Sequence, residues 1–173
     1  ARPGDLNYGS GPSGSSPHLS AELFKSMAAV NIVRIPYTGG GPAVIGLIAG
    51  EVQLMISPAG SVSTHVKSGK LRALAVTSAQ PSALLPGMPT VAASGLPGHE
   101  SSSLVGMLAP AATPEAVVNR LNQEIVRVLN RPDVKEKFLS AGIEVVASSS
   151  QQFAATMKSD MARWAKVIKE AGI

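Results

Sequence analysis

Residues 6–17, LNYGSGPSGSSP, indicate how this chain begins to fold. Residues 6–9 are predicted to form a short strand, and the Gly- and Ser-rich run after them a loop. Ser16 followed by Pro17 is typical of a helix N-cap and a first helical position. The stretch therefore predicts a strand, a loop of small residues and a helix in succession, with the helix over residues 17–29.

The same succession recurs twice further along the chain. Strands are predicted over residues 31–36 and 52–56, each followed by a small-residue loop, over residues 37–41 and 57–61, and then by a helix. A fourth strand is predicted over residues 71–77. Alternating strands and helices are typical of a parallel sheet with right-handed crossovers. The loops should then meet at the carboxyl edge of the sheet, where helix N-termini offer free N–H groups to an anion.

The rest of the chain is predicted to be mostly helical. A short helix is expected at residues 90–94 and a strand at residues 103–109. Helices follow from the N-cap pair Thr113-Pro114 and over residues 133–141, and a further strand is predicted at residues 144–147.

The last predicted helix begins at a capping box formed by Ser149 and Gln152. Apolar stripes run along this helix and along the helix that begins at Pro114. The stripe residues are Val117, Leu121, Ile125 and Val128 on the earlier helix, and Phe153, Met157, Met161, Trp164 and Ile168 on the last. One or two short strands are too little to cover these faces, so this part is expected to be half of a domain.

Composition excludes several classes of protein. The chain has 173 residues, a net charge of +4 and no cysteine, which excludes disulfide scaffolds, thiolate zinc sites and cysteine nucleophiles. Aromatic residues make up only 3% and basic residues are scattered, which argues against nucleic-acid binding. The three histidines lie far apart in sequence, so no metal site is predicted. The mild positive charge suits a small anionic ligand.

The loop from Gly9 to Gly14 also matches the dinucleotide-binding pattern G-x-G-x-x-G. Two features argue against a nucleotide: residues 31–37 hold no acidic side chain for a ribose, and Pro17 places the helix start after the third glycine. A serine nucleophile is not expected either, because G-x-S-x-G is absent and neither His18 nor His65 has a carboxylate at a suggestive spacing. No catalytic residue is therefore predicted.

Several segments of this sequence, taken in order and spacing, resemble the Bug (TctC-type) family of periplasmic solute-binding proteins of tripartite tricarboxylate transporters. The segments that carry the resemblance are residues 6–11 with Ser15, Ser16, His18 and Leu19; residues 35–40 with Pro42 and Ala43; and residues 50–55, 65–77, 85–91, 95–98, 106–110, 113–114 and 163–168.

The resemblance implies an α/β fold in two parts. Residues 1–104 would form a periplasmic-binding-protein-like domain, domain two of the family, with a parallel-rich sheet flanked by helices. Residues 105–173 would form the C-terminal part of domain one, an incomplete second α/β domain that is mostly helical. We expect the N-terminal segment of domain one, with its Gly-Gly ligand loop, to lie outside this sequence.

The resemblance also implies a function without catalysis. The chain would capture a small carboxylate in the periplasm and deliver it to the membrane permease subunits, with no cofactor, no metal and no nucleic acid involved. Backbone N–H groups and hydroxyls would bind the ligand. The candidate residues are Ser10, Gly11, Ser13, Gly14, Ser15 and Ser16 in the first loop, Thr38, Gly39 and Gly40 in the second, and Ser57 in the third.

Three positions depart from the family pattern. Ser57 stands where family members often carry Asp, Gly60 where they often carry Pro, and Leu104 where Trp is expected. An Asp at position 57 would bear on the binding of amines or of a bound water, so this departure affects the expected ligand class.

Two alternatives remain open beside the receptor. One is a nucleotide-dependent enzyme that uses the loop from Gly9 to Gly14. The other is an assembly fragment without a ligand of its own. The bare apolar faces of the incomplete domain further predict a homodimer that buries them.

Overall fold

The structure is a computed structural model and describes residues 4–173. Strand β1 (Asn7–Ser10), helix α1 (Ser16–Ala28) and strand β2 (Val33–Pro36) form the first β–α–β unit. The two strands pair in parallel, with Tyr8 opposite Arg34. The predicted strand–loop–helix succession is confirmed here, although the N-cap of α1 is Ser15 and not Ser16.

Helices α2 (Gly40–Ala49) and α3 (Ala59–Lys67) continue the alternation. Gly50 ends α2 in the left-handed conformation, with φ of 81°, which only glycine adopts without strain. The predicted third strand is reduced to an isolated parallel bridge between Tyr8 and Leu54 on the side of β1 away from β2. β1 is therefore the central strand of the small sheet.

Within residues 4–173, the predicted fourth strand is reduced to a single bridge, and the short helix predicted after it is a turn. Among the described residues, the strand survives as one parallel bridge between Val76 and Thr90. The segment that begins at Thr90 is a turn, in which the hydroxyl oxygen of Thr90 accepts the N–H of Ala93 at 3.0 Å.

Two strand predictions are wrong. Residues 103–109 and 144–147 form no strand within the described part of the chain. A strand needs a neighbour for its backbone N–H and C=O groups, and neither segment has one there. Glu144 instead accepts hydrogen bonds from the Ser82 hydroxyl at 2.6 Å and the Ala83 N–H at 2.7 Å.

The C-terminal part contains helices α4 (Glu115–Leu129), α5 (Pro132–Ser140) and α6 (Ser150–Ala171). The predicted capping box is confirmed: the Gln152 N–H donates to the Ser149 hydroxyl at 3.1 Å, and the Ser149 N–H donates to the Gln152 side chain at 2.9 Å. Helix α4 begins one residue later than predicted, since Pro114 is its N-cap.

Helix α6 packs on α1, and Val167 is buried there. The core beside this contact is small: Tyr8, Ala21 and Ile32 are buried together, with Phe24, Leu54 and Ile56 packed against them. No helix in the part of the chain that the structure describes is both long enough and apolar enough to cross a membrane.

Candidate functional site

Three loops follow the strands of the small sheet: loop 1 (residues 11–15), loop 2 (residues 37–39) and loop 3 (residues 57–58). Because β1 and β2 are parallel, loops 1 and 2 leave the same edge of the sheet, as predicted. The backbone joins them directly, since the Tyr37 N–H donates to the Ser10 carbonyl at 2.8 Å. Loop 3 follows the bridge at Leu54, on the other side of β1.

Glycines lie where loops 1 and 2 approach each other. A Cβ on Gly11 would lie 3.5 Å from the Ser15 hydroxyl and 3.8 Å from the carbonyl carbon of Gly39. On α2, a Cβ on Gly46 would overlap the phenol of Tyr37. Gly46 therefore leaves room for the Tyr37 ring, which starts loop 2.

Each of the three loops leads into a helix. Helix α1 begins at Ser16, α2 at Gly40 and α3 at Ala59. The N–H groups of a first helical turn have no acceptor within the helix and carry partial positive charge. No side chain in residues 4–173 caps any of these helix starts. This edge of the sheet is consequently suited to an anion.

Two serine hydroxyls in these loops are buried without a partner. The oxygens of Ser15 and Ser57 have no hydrogen bond within the described residues. A buried hydroxyl left in this state costs about 1–3 kcal/mol. Both hydroxyls are therefore unsatisfied in this conformation, and a ligand atom that reached them would satisfy them.

The other candidates in loop 1, and Ser10 at the end of β1, are already engaged. The Ser10 hydroxyl is fully buried and accepts from the Arg34 Nε at 2.7 Å, and the Ser13 hydroxyl accepts from Arg34 Nη1 at 3.0 Å. The carbonyl of Gly11 accepts from Arg34 Nη2 at 2.8 Å, and the Gly14 N–H donates to Nδ1 of His18 at 3.1 Å.

Arg34 is the functional residue that the sequence analysis missed. The available signal was a basic residue inside the short strand β2, whose carboxyl end leads into loop 2. A charged side chain within such a strand is expected to have hydrogen-bond or ion-pair partners nearby. The end of β1 and loop 1 supply these partners, because their hydroxyl and carbonyl oxygens accept hydrogen bonds from all three guanidinium nitrogens of Arg34.

The neutral form of His18 is favoured at this site. It is buried, and burial lowers its pKa, as does the positive charge of Arg34. Because Nδ1 accepts the Gly14 N–H, the proton of the neutral ring sits on Nε2. The first turn of α1 therefore offers one more N–H donor.

The remaining candidates lie at the helix starts. Ser16, Thr38 and Gly40 are exposed, and Gly39 is the extended N-cap of α2. The structure thus brings the candidates of loops 1 and 2 to one edge. Among the described residues no group of three His, Asp or Glu side chains could hold a metal ion.

A separate groove of about 660 Å³ lies between α1, the segment from Ser101 to Leu108, and α6. Ser16 is one of the residues that line this groove. Most of the other lining side chains are apolar, among them Leu19, Leu104, Phe153, Met157, Met161, Trp164 and Ile168. The apolar stripe predicted for the last helix therefore faces an open groove.

Residues 1–173 match the family described as "Tripartite tricarboxylate transporter family receptor" (TctC). The chain is 40% identical over 169 residues to a UPF0065 protein in the tcbD-tcbE intergenic region of Pseudomonas sp. (strain P51), a match that covers 97% of this chain and 50% of that protein. It is 36% identical over 172 residues to Protein BugT of Bordetella pertussis, covering 99% and 53%.

The chain spans about half the length of these two relatives. It spans 92% of a shorter one, the UPF0065 protein in the clcB-clcD intergenic region of Pseudomonas knackmussii, which is 33% identical and covers 90% of this chain.

Two solved structures from Rhodopseudomonas palustris are similar along nearly the whole chain. Rpa4515 with adipate has a TM-score of 0.86 and 37% identity, covering 99% of this chain and 57% of that one. MatC (Rpa3494) with bound malate has a TM-score of 0.76 and 26% identity, covering 95% and 57%. The resemblance and the predicted α/β, periplasmic-binding-protein-like fold are confirmed.

Proposed function

Because this chain belongs to the tripartite tricarboxylate transporter receptor family, we propose that it captures a small carboxylate in the periplasm and delivers it to the membrane permease subunits. The adipate and malate in two similar structures support the ligand class. The proposal includes no catalytic step, in keeping with relatives that are binding proteins.

One observation carries the proposal: the unpartnered hydroxyls of Ser15 and Ser57 are buried in two of three loops that lead into helix N-termini. Hydroxyl and backbone N–H donors bind a carboxylate without a direct contact to a basic side chain.

We assign the loop residues two roles. Ser15, Ser16, Thr38, Gly39, Gly40 and Ser57 would contact the carboxylate. Ser10, Gly11, Ser13 and Gly14 would hold the shape of loop 1, because their polar groups are engaged with Arg34 and His18. Of the ten ligand-binding candidates from the sequence, six are thus proposed to contact the carboxylate directly.

Calorimetric titration of the chain with adipate, malate and NAD tests the proposal. Saturable binding of a dicarboxylate is expected, with a loss of affinity in Ser15→Ala and Ser57→Ala. Ser159→Ala, which removes an exposed hydroxyl on α6, is the matched control. Binding of NAD without binding of a dicarboxylate would instead support the nucleotide-dependent alternative.

A second part of the proposal concerns assembly. We further propose a division at residue 104, between the loop-bearing part and a part whose exposed apolar side chains include Met107, Leu108 and Met161. Large apolar patches of this kind are typical of interfaces. We propose that two copies bury them in a homodimer.

A further inference from the structure

The side chain of Arg34 crosses from β2 to loop 1 and donates through all three of its nitrogens. Nε donates to the Ser10 hydroxyl at 2.7 Å, Nη1 to the Ser13 hydroxyl at 3.0 Å, and Nη2 to the Gly11 carbonyl at 2.8 Å. A planar guanidinium holds three acceptors in a fixed arrangement, which an ammonium group cannot do. Arg34 therefore fixes the path of the chain through the first part of loop 1.

These bonds act on the candidate ligand donors through the backbone. The Ser15 N–H donates to the Pro12 carbonyl at 3.1 Å, so the position of Ser15 depends on the chain that Arg34 holds. Ser15 is in turn the N-cap of α1, and its hydroxyl is buried without a partner. Loop 1 is thus organised before any ligand arrives, which reduces the entropic cost of binding.

The charge of Arg34 is also uncompensated at close range. None of the ion pairs formed within residues 4–173 involves this guanidinium. Its field reaches the first turn of α1, where it acts with burial to lower the pKa of His18. The guanidinium of Arg34 and the positive N-terminal end of the α1 dipole therefore both lie beside loop 1.

We propose that Arg34 is the positioning residue of the carboxylate site, which holds loop 1 in its binding conformation and supplies the counter-charge to the ligand from behind the loop. The inference rests on the proposed function for its ligand. It adds a charged residue to a site that otherwise consists of hydroxyls and backbone N–H groups.

Three variants separate the bonds of Arg34 from its charge. Arg34→Gln removes both, and Arg34→Lys keeps the charge but loses the planar arrangement of donors. Arg120→Gln is the matched control, because it removes an exposed arginine from α4. Thermal unfolding of each variant establishes that it is folded.

Two readouts need no ligand. Hydrogen exchange at the amides of Gly14 and Ser15, which donate to His18 and to the Pro12 carbonyl, is expected to be at least about tenfold faster in both Arg34 variants than in Arg120→Gln, because local opening of the loop becomes easier. The pKa of His18, followed by NMR, is expected to rise in Arg34→Gln and to stay near the wild-type value in Arg34→Lys, since only the first loses the charge.

The third readout is affinity for adipate and for adipamide, its uncharged analogue. Arg34→Gln is expected to weaken adipate binding by at least about tenfold and to flatten its salt dependence, with Arg34→Lys recovering the charge-dependent part of the loss. Adipamide binding should fall less than adipate binding, and by a similar factor in both variants, because the uncharged ligand loses only the positioning of loop 1. Unchanged amide exchange in both Arg34 variants, or equal His18 pKa values and equal adipate losses in Gln and Lys, would overturn the inference. If the wild-type chain binds no dicarboxylate, the proposed function fails, while the first two readouts still decide the role of Arg34 in loop 1.

Discussion

Individual side chains in this chain are stabilised by neighbours that the structure brings from far along the sequence. Tyr8 is fully buried in the central strand, and its hydroxyl donates to the Glu22 carboxylate at 2.6 Å. Lys25 donates to both oxygens of the same carboxylate. Burial and the hydrogen bond to Glu22 raise the pKa of Tyr8, so the phenol stays protonated and continues to donate.

Tyr8→Phe should therefore destabilise the chain. It leaves a partly buried carboxylate short of one donor, which costs about 1.5–3 kcal/mol. Tyr37→Phe is the matched control, since its hydroxyl donates to the exposed Glu51 at 2.9 Å and its loss should cost less than about 1 kcal/mol. Urea unfolding measures both, and equal losses in the two variants would contradict the assigned role of Tyr8.

The hydroxyls of Ser15 and Ser57 are expected to behave in the opposite way. Ser15→Ala and Ser57→Ala each remove a buried group without a partner, so the free energy of unfolding should stay within about 0.5 kcal/mol of wild type or rise by about 1 kcal/mol. Dicarboxylate affinity should fall in the same variants.

Ser10→Ala provides the contrast, because it removes an acceptor of Arg34 and should lower stability. Urea denaturation measures the stability of these variants, and calorimetry on the same samples measures their dicarboxylate affinity. Clear destabilisation by both Ser15→Ala and Ser57→Ala would show that these hydroxyls serve the fold and not a ligand.

At the scale of elements, the long helix α6 depends on its first turn and on its contact with α1. The capping box at Ser149 satisfies two backbone N–H donors at the start of the helix, those of Ser149 and Gln152. Ser149→Ala is expected to cost about 1 kcal/mol of stability. Ser148→Ala, one residue earlier, should leave the urea midpoint nearly unchanged; a similar loss there would indicate that the capping box adds little.

The junction between α1 and α6 should be sensitive to acid through His99. This ring is buried against Phe24 on α1, and neither of its nitrogens has a hydrogen-bond partner within residues 4–173. Burial lowers its pKa, and the nearby Arg163, which pairs with Glu100 and Asp160, lowers it further.

A histidine whose folded pKa is lowered binds fewer protons in the folded than in the unfolded state. Stability should therefore be full at neutral pH and fall as pH drops below about 6.5, the unfolded value, toward the lower folded pKa. His18 contributes in the same direction, because burial lowers its pKa too. For Glu22, burial raises the pKa, but hydrogen bonds from Lys25 and Tyr8 outweigh this effect and lower it. The stability that the ionised Glu22 contributes is therefore lost only below about pH 4.5.

Urea midpoints between pH 8 and pH 5 measure this dependence. His99→Leu should reduce the loss on acidification, because the variant cannot be protonated there. A pH profile identical to that of the wild type would show that His99 does not destabilise the junction in acid.

At the scale of the whole molecule, helical faces and an extended segment leave apolar side chains in solvent. Leu108 is 79% exposed and Met161 is 73% exposed, and both line the groove between α1 and α6. The predicted stripe of α4 is also open, since Val117, Leu121 and Val128 are each more than 40% exposed. The contact of α6 with α1 thus covers only part of the apolar surface.

Light scattering at micromolar concentration is expected to give the mass of a dimer. Met161→Glu and Leu108→Glu should shift the mass to that of one chain, because each places a charge in the groove. Leu74→Glu is the matched control, since Leu74 is 70% exposed, lies outside residues 105–173 and does not line the groove. A clean monomer mass for the wild type would contradict the dimer.

The sequence alone determined those features that depend on a few neighbouring residues. The capping box at Ser149, the end of α2 at Gly50 and the small-residue loops after the first strands could all be read locally, because caps, backbone angles and helical periodicity act over a few positions. Only the tertiary structure decided what depends on distant partners. The strand predicted at residues 103–109 found no neighbour among the described residues to complete its hydrogen bonds. Arg34 reached acceptors 21 to 24 positions away, at the end of β1 and in loop 1. The engagement of Ser10 and Ser13, and the open hydroxyls of Ser15 and Ser57, follow from that packing, since burial and pairing are properties of the folded chain and not of any one segment.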